Sequence, residues 1–363
     1  MPVREESFRI GCGRYIQKPG ALTAAADEVL RLGTGALILG GPTALSLTQK
    51  ELESSLSAQN VPYLVCTHAG TCNEQNAAQF AALARERKLD VIVGVGGGVI
   101  MDFAKLVGDQ AHLPVLNIPT SSATCAAYTP LSVRYTPEGR TVGSLHYGYE
   151  VGGVLVDTQV VSTQPERLLL SGVFDALAKF VEIRQRFSEE QKTFPLGLDW
   201  AYVMSQRSFS QLCEKTEECI RDMKAGRMTD TVEQVVFATI AATGVISGIA
   251  RGSNQCALAH KFYETTRAMF FEESRSYLHG EIVGVGLLLQ NHFNGEVEHN
   301  DFLLSMMKKY RMPGSVSDIG VAPTEEHKKL YFQKLTASSA MEGAGEAEKQ
   351  RLQAALDYLW EIG

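Results

Sequence analysis

The sequence predicts two kinds of fold along one chain: an α/β domain with a mostly parallel sheet, and then an all-helical domain. Short β-branched runs alternate with longer helical patterns up to about residue 160, and the strand signals stop after Asp157. Repetition of strand and helix favours a parallel sheet that helices cover on both faces. We therefore expect the α/β domain over residues 1–160 and the all-helical domain over residues 161–363.

Six short apolar runs are the predicted strands. They are ALILG from residue 36, PYLVC from 62, VIVGV from 91, VLNI from 115, LSVRY from 131 and VLVD from 154. The segment NEQNAAQFAALARERK, from residue 73, has helical periodicity. TPEGR at 136–140 predicts a hairpin turn, and therefore a local antiparallel pair of strands. From PERLLLSGVFDALAKFVEIRQRF onward, apolar residues recur at helical spacing, which predicts the second domain.

Composition limits the classes of partner. The 363 residues are 45% hydrophobic and 21% charged, as in ordinary soluble globular proteins. The net charge of −7 offers no basic surface for nucleic acid or an anionic membrane. The N-terminus lacks the apolar core of a secretion signal, no run approaches the roughly 18 apolar residues of a membrane span, and scattered cysteines indicate reduced thiols. We expect a cytoplasmic protein that acts on a small molecule, without a nucleic-acid or membrane partner.

Three consecutive glycines, Gly96, Gly97 and Gly98, follow the apolar run at residue 91 and precede a helical segment that contains Lys105. Glycines at the carboxyl end of a parallel strand let the backbone approach a ligand closely. The helix that follows points free N–H groups at the same place, which suits a diphosphate. The segment matches neither a GxGxxG fingerprint nor a Walker loop. Because a tight turn would need only one glycine, three favour contact with phosphate over a purely structural turn.

These residues resemble a known family. GGGxxxDxxK, from Gly96 to Lys105, is similar to the nucleotide-binding loop of the superfamily of iron-containing alcohol dehydrogenases and glycerol dehydrogenases. The stretch from Asn117 to Gly139 resembles the next signature of the glycerol dehydrogenase branch, and the resemblance continues to YRMPGSVSDIGV at 310–321. It implies the fold shared with dehydroquinate synthases, NAD or NADP bound by the α/β domain, and a homo-oligomer. The cofactor contacts that it implies are Gly40, Gly41, Gly96, Gly97, Gly98, Asp102, Thr120, Ser121, Thr124, Leu131, Val133 and Tyr135.

The resemblance also implies one divalent metal in the helical domain. Family members bind it through an Asp in a GxxDALA context, a His that ends an AxxH segment and a His that opens an HGE segment. The matching residues are Asp175, His260 in CALAH and His279 in LHGE. Taken alone, Asp175 would be a favourable charge near a helix start, and each histidine a satisfied core residue. One carboxylate and two imidazoles leave coordination positions open, as catalysis requires; zinc suits this set, and iron(II) is the alternative.

Three positions depart from the family pattern. Some relatives carry a fourth ligand, a His four residues after the Asp, where this chain has Lys179. Lys179 is then either a partner for a substrate carboxylate or a solvated helix lysine. Cys125 stands where glycerol dehydrogenases have an Asp close to the substrate, which favours an acidic substrate, although Cys125 can also be a small buried hydrophobe. Tyr263 replaces a His three residues after the second ligand, a position beside the metal ligands.

The end of the first predicted strand leaves the choice of coenzyme open. NAD-preferring family members often have an acidic residue there, where this chain has Gly40 and Gly41. Without that carboxylate a 2′-phosphate is not repelled, so NAD(H) and NADP(H) are both candidates.

Together these observations predict a metal-dependent NAD(P) oxidoreductase of the glycerol dehydrogenase type, which transfers hydride between nicotinamide and a small polyol or hydroxy ketone. Asp175, His260 and His279 are the predicted catalytic residues. The alternative is a 2-oxo acid reductase or 2-hydroxycarboxylate dehydrogenase, because ATCAAYTPLSV also resembles that branch. Remoter alternatives are a dehydroquinate-synthase-like cyclase and a non-catalytic nucleotide-binding protein. A cyclase would need a Lys and Arg cluster that the sequence does not show near Asp175 or His260.

Overall fold

The computed structural model describes residues 8–185, 195–250 and 256–362. Its main sheet has six strands, β1 (Tyr15–Lys18), β2 (Ala36–Gly40), β3 (Tyr63–Thr67), β4 (Val91–Gly96), β5 (Val115–Pro119) and β8 (Gly153–Asp157). Their spatial order is β1-β8-β5-β4-β2-β3, and every neighbouring pair is parallel. Two further strands, β6 (Leu131–Tyr135) and β7 (Thr141–His146), form a separate antiparallel hairpin.

All six apolar runs predicted as strands are strands, and the predicted turn at 136–140 joins an antiparallel pair. The sequence predicted neither β1 nor the position of β7, the second strand of the hairpin. β1 lies at the edge of the sheet and has no fully buried residue, and β7 has none either. Strands such as β2, β4 and β5 are buried along their whole length, which produces the continuous apolar runs that sequence reasoning detects.

Four helices cover the sheet: α1 (Ala25–Leu32), α2 (Pro42–Ala58), α3 (Glu74–Glu86) and α4 (Gly98–Ala111). Successive residues of β2 belong to two different hydrophobic clusters. Ile38 shares one cluster with Val29 of α1 and Leu52 of α2. Leu37 shares the other with Phe103 of α4. Because successive strand residues point to opposite faces, helices lie on both faces of the sheet, as predicted.

In the described part of the chain only helices follow β8. They are α5 (Thr158–Val161), α6 (Glu166–Gln185), α7 (Leu196–Lys224), α8 (Asp230–Phe237), α9 (Thr243–Ile249), α10 (Leu258–Met269), α11 (Phe271–Ser274), α12 (His279–Phe293), α13 (His299–Lys309), α14 (Glu325–Thr336) and α15 (Glu346–Glu361). A π-helical stretch, Ala238–Ala242, joins α8 to α9. Short 3-10 helices occupy Ala21–Ala24, Ser317–Ile319 and Ser339–Met341. The predicted fold class, a parallel α/β region followed by helices, is confirmed.

The chain divides into two compact units that interleave along the sequence. The sheet unit comprises Arg9–Leu169 and Gln211–Val245, and contains every strand of the described residues. The helical unit includes the described residues of Leu170–Ser210 and Ile246–Gly363. The divisions after Leu169, Ser210 and Val245 fall inside helices α6, α7 and α9. That a nucleotide-binding domain ends and a metal-binding domain begins near residue 160 stays a prediction.

One described helical stretch, Asp230–Ile249, is long and apolar enough to cross a membrane by length and composition alone. This finding differs from the expectation that no run approaches such a length. In its most apolar window 56% of the residues are buried inside the protein. The core helix of a soluble protein has the same character, so the stretch by itself does not identify a membrane span.

Candidate metal centre and cofactor loop

Helix α6 carries three charged residues on one face. Asp175, Lys179 and Glu182 are spaced four and three residues apart, so their side chains emerge on the same side of the helix. All three are buried, with exposed fractions of 4%, 3% and 0%. Charged groups are rarely buried without partners of opposite charge or hydrogen bonds, so this face must be matched by other residues of the helical unit.

Glu182 provides one such match, at the start of α10. Its Oε1 accepts hydrogen bonds from the backbone N–H groups of Ala257 and His260, both at 2.8 Å. Its Oε2 lies 2.5 Å from His260 Nδ1. Because a carboxylate only accepts hydrogen bonds, His260 Nδ1 carries a proton and donates a hydrogen bond to Glu182. This contact orients the ring and leaves Nε2 as the atom at which a metal can bind.

His279 is placed by the HGE motif at the start of α12. The backbone N–H of Leu278 donates to Glu281 Oε2 at 2.7 Å, which caps the helix. The N–H of Gly280 donates to Ser171 Oγ at 3.1 Å, and a Cβ on Gly280 would lie 1.8 Å from the Ser171 carbonyl oxygen. Gly280, the middle residue of HGE, has to be a glycine, because α12 begins directly against the backbone of α6.

The ligating atoms of Asp175, His260 and His279 converge. Asp175 Oδ1 lies 3.2 Å from His260 Nε2 and 3.6 Å from His279 Nε2. One ligand atom from each residue lies within 4.8 Å of the other two, and this is the one such group of His, Cys, Asp and Glu found among the described residues. A divalent first-row metal binds oxygen and nitrogen ligands at roughly 2.0–2.2 Å, so the donor set and its spacing fit one ion.

Tyr263 adds an edge contact to this group. Its ring meets the His279 ring with centroids 4.3 Å apart at 73°, and the Arg267 guanidinium lies 5.6 Å from the Tyr263 ring centroid. Tyr263 thus contacts a predicted ligand rather than supplying one, which is the position that the family resemblance implied for it.

Electrostatics inside the cluster keep its carboxylates charged. Burial alone would raise the pKa of Asp175, but the Lys179 ammonium and hydrogen bonds with His260 and His279 hold that pKa well below its ordinary value. Burial likewise acts to raise the pKa of Glu182, and the charge and hydrogen bonds of His260 lower it. Burial lowers the pKa of His260, but Glu182 outweighs it and raises that pKa to about 10. For His279 burial prevails and its pKa is lowered.

Lys179 lies inside this group. Its Nζ is 3.3 Å from Asp175 Oδ1 and 3.2 Å from His260 Nε2, and only 3% of the residue is exposed. The alternative in which Lys179 is a solvated helix lysine is therefore wrong. Three residues between the Asp and the Lys place the ammonium one helical turn further along, beside the same carboxylate.

In the sheet unit, the three glycines form the turn between β4 and α4. Gly97 is the N-cap of α4, which starts at Gly98. The backbone N–H of Thr120 donates to the Gly96 carbonyl at 2.9 Å. A Cβ on Gly98 would lie 3.0 Å from Thr124 Oγ1, and a Cβ on Gly97 would lie 3.5 Å from Ser121 Oγ. The structure thus brings together the glycines and three hydroxyl residues that the resemblance assigns to the cofactor, listed as Thr120, Ser121 and Thr124.

Asp102 has the contacts of a buried ion pair. Its carboxylate lies 2.9 Å from Lys105 Nζ and accepts a hydrogen bond from the Val133 backbone at 3.0 Å. Lys105 also donates to the carbonyl groups of Ala126, Thr129 and Leu131. This pair fastens the loop and strand β6, which carries Leu131, Val133 and Tyr135, to helix α4. That Asp102, Leu131, Val133 and Tyr135 contact the cofactor stays a prediction.

The remaining predicted site residues are two cofactor candidates, Gly40 and Gly41, and one substrate candidate, Cys125. Gly40 ends β2, and a Cβ there would lie 2.6 Å from the Leu45 side chain. Gly41 is the N-cap of α2 and has no atom closer than 4.0 Å to an added Cβ. Cys125 is half-buried, and its carbonyl accepts hydrogen bonds from the Tyr128 and Thr129 backbones. Gly40 is thus required by packing alone, whatever coenzyme binds.

Glu182 is the site residue that sequence reasoning missed. The signal was present, because Glu182 lies seven residues after Asp175, on the same helix face. A carboxylate in an apolar helix three residues after a lysine also suggests a simple intrahelical ion pair, and only the fold shows that it reaches His260.

Replacing Glu182 by glutamine should weaken metal binding about 10- to 100-fold, the range for residues that orient a ligating histidine. The amide oxygen can still accept the two backbone hydrogen bonds, but its NH2 group then faces His260 Nδ1. The ring proton moves to Nε2, and the lone pair that a metal needs is lost. Zinc dissociation constants from competition with a chromogenic chelator measure the effect. Glu264→Gln, at an exposed ion pair on α10, is the matched control; equal affinity of both variants would contradict the assignment.

Comparison with known proteins agrees with the sequence resemblance. Residues 12–151 match the family model of iron-containing alcohol dehydrogenases. The chain is 27% identical over 328 residues to hydroxycarboxylate dehydrogenase A of Escherichia coli K12. That alignment covers 88% of this chain and 87% of the relative. It is 28% identical over 314 residues to the glycerol dehydrogenase of Thermotoga maritima, with 85% and 84% covered.

Solved structures share the fold. The crystal structure of a probable glycerol dehydrogenase from Sinorhizobium meliloti 1021 superposes with a TM-score of 0.81 at 22% identity and covers 98% of both chains. Glycerol dehydrogenase from Schizosaccharomyces pombe gives 0.80 at 23% identity, with 98% of this chain and 91% of that chain covered. The predicted resemblance is confirmed: residues 12–151 match the family model of iron-containing alcohol dehydrogenases, and the chain is similar over most of its length to glycerol and hydroxycarboxylate dehydrogenases.

Proposed function

We propose that this protein is a metal-dependent NAD(P) oxidoreductase that transfers hydride between the nicotinamide and a small polyol or hydroxy ketone. The observation that carries the proposal is the convergence of Asp175, His260 and His279 on one point inside the helical unit. The similarity to iron-containing alcohol dehydrogenases and glycerol dehydrogenases supports an activity on CH–OH groups.

Zinc is the metal that we propose, with iron(II) as the alternative. Asp175, His260 and His279 would hold it, and Glu182 would keep the His260 ring oriented toward it. When bound, a dication at this place polarises a hydroxyl or carbonyl group and lowers the pKa of the hydroxyl. Three protein ligands leave a coordination position for the substrate oxygen, as catalytic zinc sites do.

The coenzyme would lie on the glycine turn of the sheet unit. Gly96, Gly97 and Gly98 bring the backbone to the start of α4, where N–H groups suit a diphosphate. Ser121 and Thr124 line the same turn and can donate hydrogen bonds to phosphate oxygens. The nicotinamide supplies the hydride chemistry, and the chain supplies position and charge. Because Gly40 and Gly41 stand where NAD-preferring family members often have an acidic residue, both NAD(H) and NADP(H) remain candidates.

A second candidate function is the reduction of 2-oxo acids, and Lys179 is the observation that favours it. Its buried ammonium adds a positive charge beside the three predicted ligands. Cys125 stands where the resemblance expects an Asp, so one anion fewer would face a substrate carboxylate. The hydroxycarboxylate dehydrogenase among the relatives points the same way.

The two remoter alternatives have less support. The relatives reported above are named dehydrogenases rather than synthases. A non-catalytic protein would have no reason to bury Asp175, Lys179 and Glu182 together, because each carries a desolvation cost.

An absorbance assay tests the proposal and separates its two substrate classes. Zinc-loaded protein is mixed with dihydroxyacetone or 2-oxobutyrate, each with NADH and with NADPH, and loss of the reduced nicotinamide is followed. We expect faster turnover of dihydroxyacetone. Faster turnover of 2-oxobutyrate would assign the second candidate function and make Lys179 the next residue to replace. No consumption of either coenzyme with either substrate would contradict both.

A further inference from the structure

Resting on the proposed metal site, we propose that Lys179 is a built-in cation that competes with the divalent metal for Asp175 and His260. The metal is consequently held weakly and exchanges readily, and the metal-free protein remains folded. This inference concerns how strongly the site binds its metal, whichever substrate it acts on.

The contacts of Lys179 carry the first step. Its Nζ lies 3.3 Å from Asp175 Oδ1 and 3.2 Å from His260 Nε2. The same two atoms lie only 3.2 Å from each other. They are also the atoms that the metal would use. An ammonium and a dication therefore both need the same carboxylate oxygen, and each weakens the hold of the other.

Charge carries the second step. A metal binds the lone pairs of neutral imidazoles, so the two histidines carry no charge in the metal-loaded cluster. There Asp175 and Glu182 contribute two negative charges and Lys179 one positive charge, which leaves one negative charge before the dication is counted. Without Lys179 the cluster would hold two negative charges and would balance a dication. With Lys179 the metal-loaded cluster has an excess positive charge, and repulsion between buried like charges is strong because the local dielectric is low.

Burial carries the third step. Asp175 is 4% exposed, and an ionised carboxylate at that depth requires a cation nearby. Lys179, itself 3% exposed, is a cation 3.3 Å from that carboxylate when no metal is bound. The residue thus has two opposite effects: it stabilises the metal-free fold and opposes the metal.

The test compares zinc binding by wild-type protein and by Lys179→Met, which removes the ammonium and retains most of the side-chain length. Both are stripped with a chelator and dialysed against buffered Zn²⁺, and bound zinc is measured by atomic emission. We expect the dissociation constant of the variant to be lower by roughly tenfold or more, since one repulsive charge is removed. Thermal unfolding should show a less stable metal-free variant and a larger rise in Tm on zinc addition than in wild type.

Lys261→Met is the matched control. It removes the same charge one residue from His260, but Lys261 is paired with Glu264 at 2.6 Å, so its zinc affinity should equal that of wild type. If Lys179→Met folds only when zinc is present, the zinc-driven folding transition supports the inference directly.

Two results would overturn the inference while the metal site stands. One is a dissociation constant for Lys179→Met equal to or higher than that of wild type. The other is a variant that stays unfolded at every zinc concentration, because Lys179 would then have a structural role that metal cannot replace. Failure of wild type, Lys179→Met and Lys261→Met alike to bind zinc would instead contradict the proposed metal site, and the inference with it.

Discussion

Replacing His279 by alanine should leave the protein without its metal and lower kcat at least about a thousandfold, because a bound dication contributes several kcal/mol to stabilising charge on the reacting oxygen. His279 supplies one of only three predicted ligands, and its Nε2 lies 3.6 Å from Asp175 Oδ1. Two ligands of one carboxylate and one imidazole cannot retain a catalytic ion against dilution. His260→Ala should have the same effect. Metal content by atomic emission and NAD(P)H oxidation measure both outcomes.

His299→Ala is the control for this experiment. His299 begins α13 with its side chain 46% exposed, so its loss should change neither metal content nor kcat. A fully active, metal-free His279→Ala protein would contradict the role assigned to the histidine pair.

Gly280→Ala should be the most damaging single-methyl change at the site. A Cβ at this position would lie 1.8 Å from the Ser171 carbonyl oxygen, so the start of α12 must move away from α6. We expect the free energy of unfolding to fall by about 3 kcal/mol, at the upper end of overpacking effects. Metal affinity should fall as well, because His279 precedes Gly280 and moves with it. Chemical denaturation and zinc titration measure the two effects.

Gly314→Ala is the matched control in the same unit. A Cβ at Gly314 would meet its nearest neighbour, Leu304, at an ordinary contact distance of 3.5 Å. Its stability and zinc affinity should therefore stay close to those of wild type. Unchanged stability and unchanged zinc affinity of Gly280→Ala would show that the contact between α12 and α6 does not position His279.

The parallel sheet could be predicted because its central strands are buried on both faces. β2, β4 and β5 appear in the sequence as unbroken apolar runs, and their boundaries follow from them. The edge strand β1 could not be predicted in the same way, because its half-buried residues carry no such run. The interleaving of the two units was also beyond sequence reasoning, because their divisions fall inside helices that continue across them.

The candidate metal centre was predictable as a set of residues but not as a network of contacts. Asp175, His260 and His279 were found through three family motifs, and the structure brings them together. Glu182 was not found, because its link to His260 joins residues 78 positions apart in the sequence. Spacing within one helix shows which side chains share a face, but not which distant histidine they meet.

Lys179 illustrates the same limit. Four residues after Asp175, it was expected either on the surface or at a substrate carboxylate, and the sequence could not distinguish the two. It has neither position: it is buried against Asp175 and His260, among the predicted metal ligands.

The most direct test of metal-dependent hydride transfer is titration of chelator-stripped wild-type protein with zinc, and in parallel with iron(II) under anaerobic conditions. Turnover of dihydroxyacetone with NADH and NADPH is followed at each step. We predict that stripped protein is inactive and that activity rises in proportion to bound metal up to one ion per chain. Full turnover by stripped protein, unchanged when metal is added, would contradict the account.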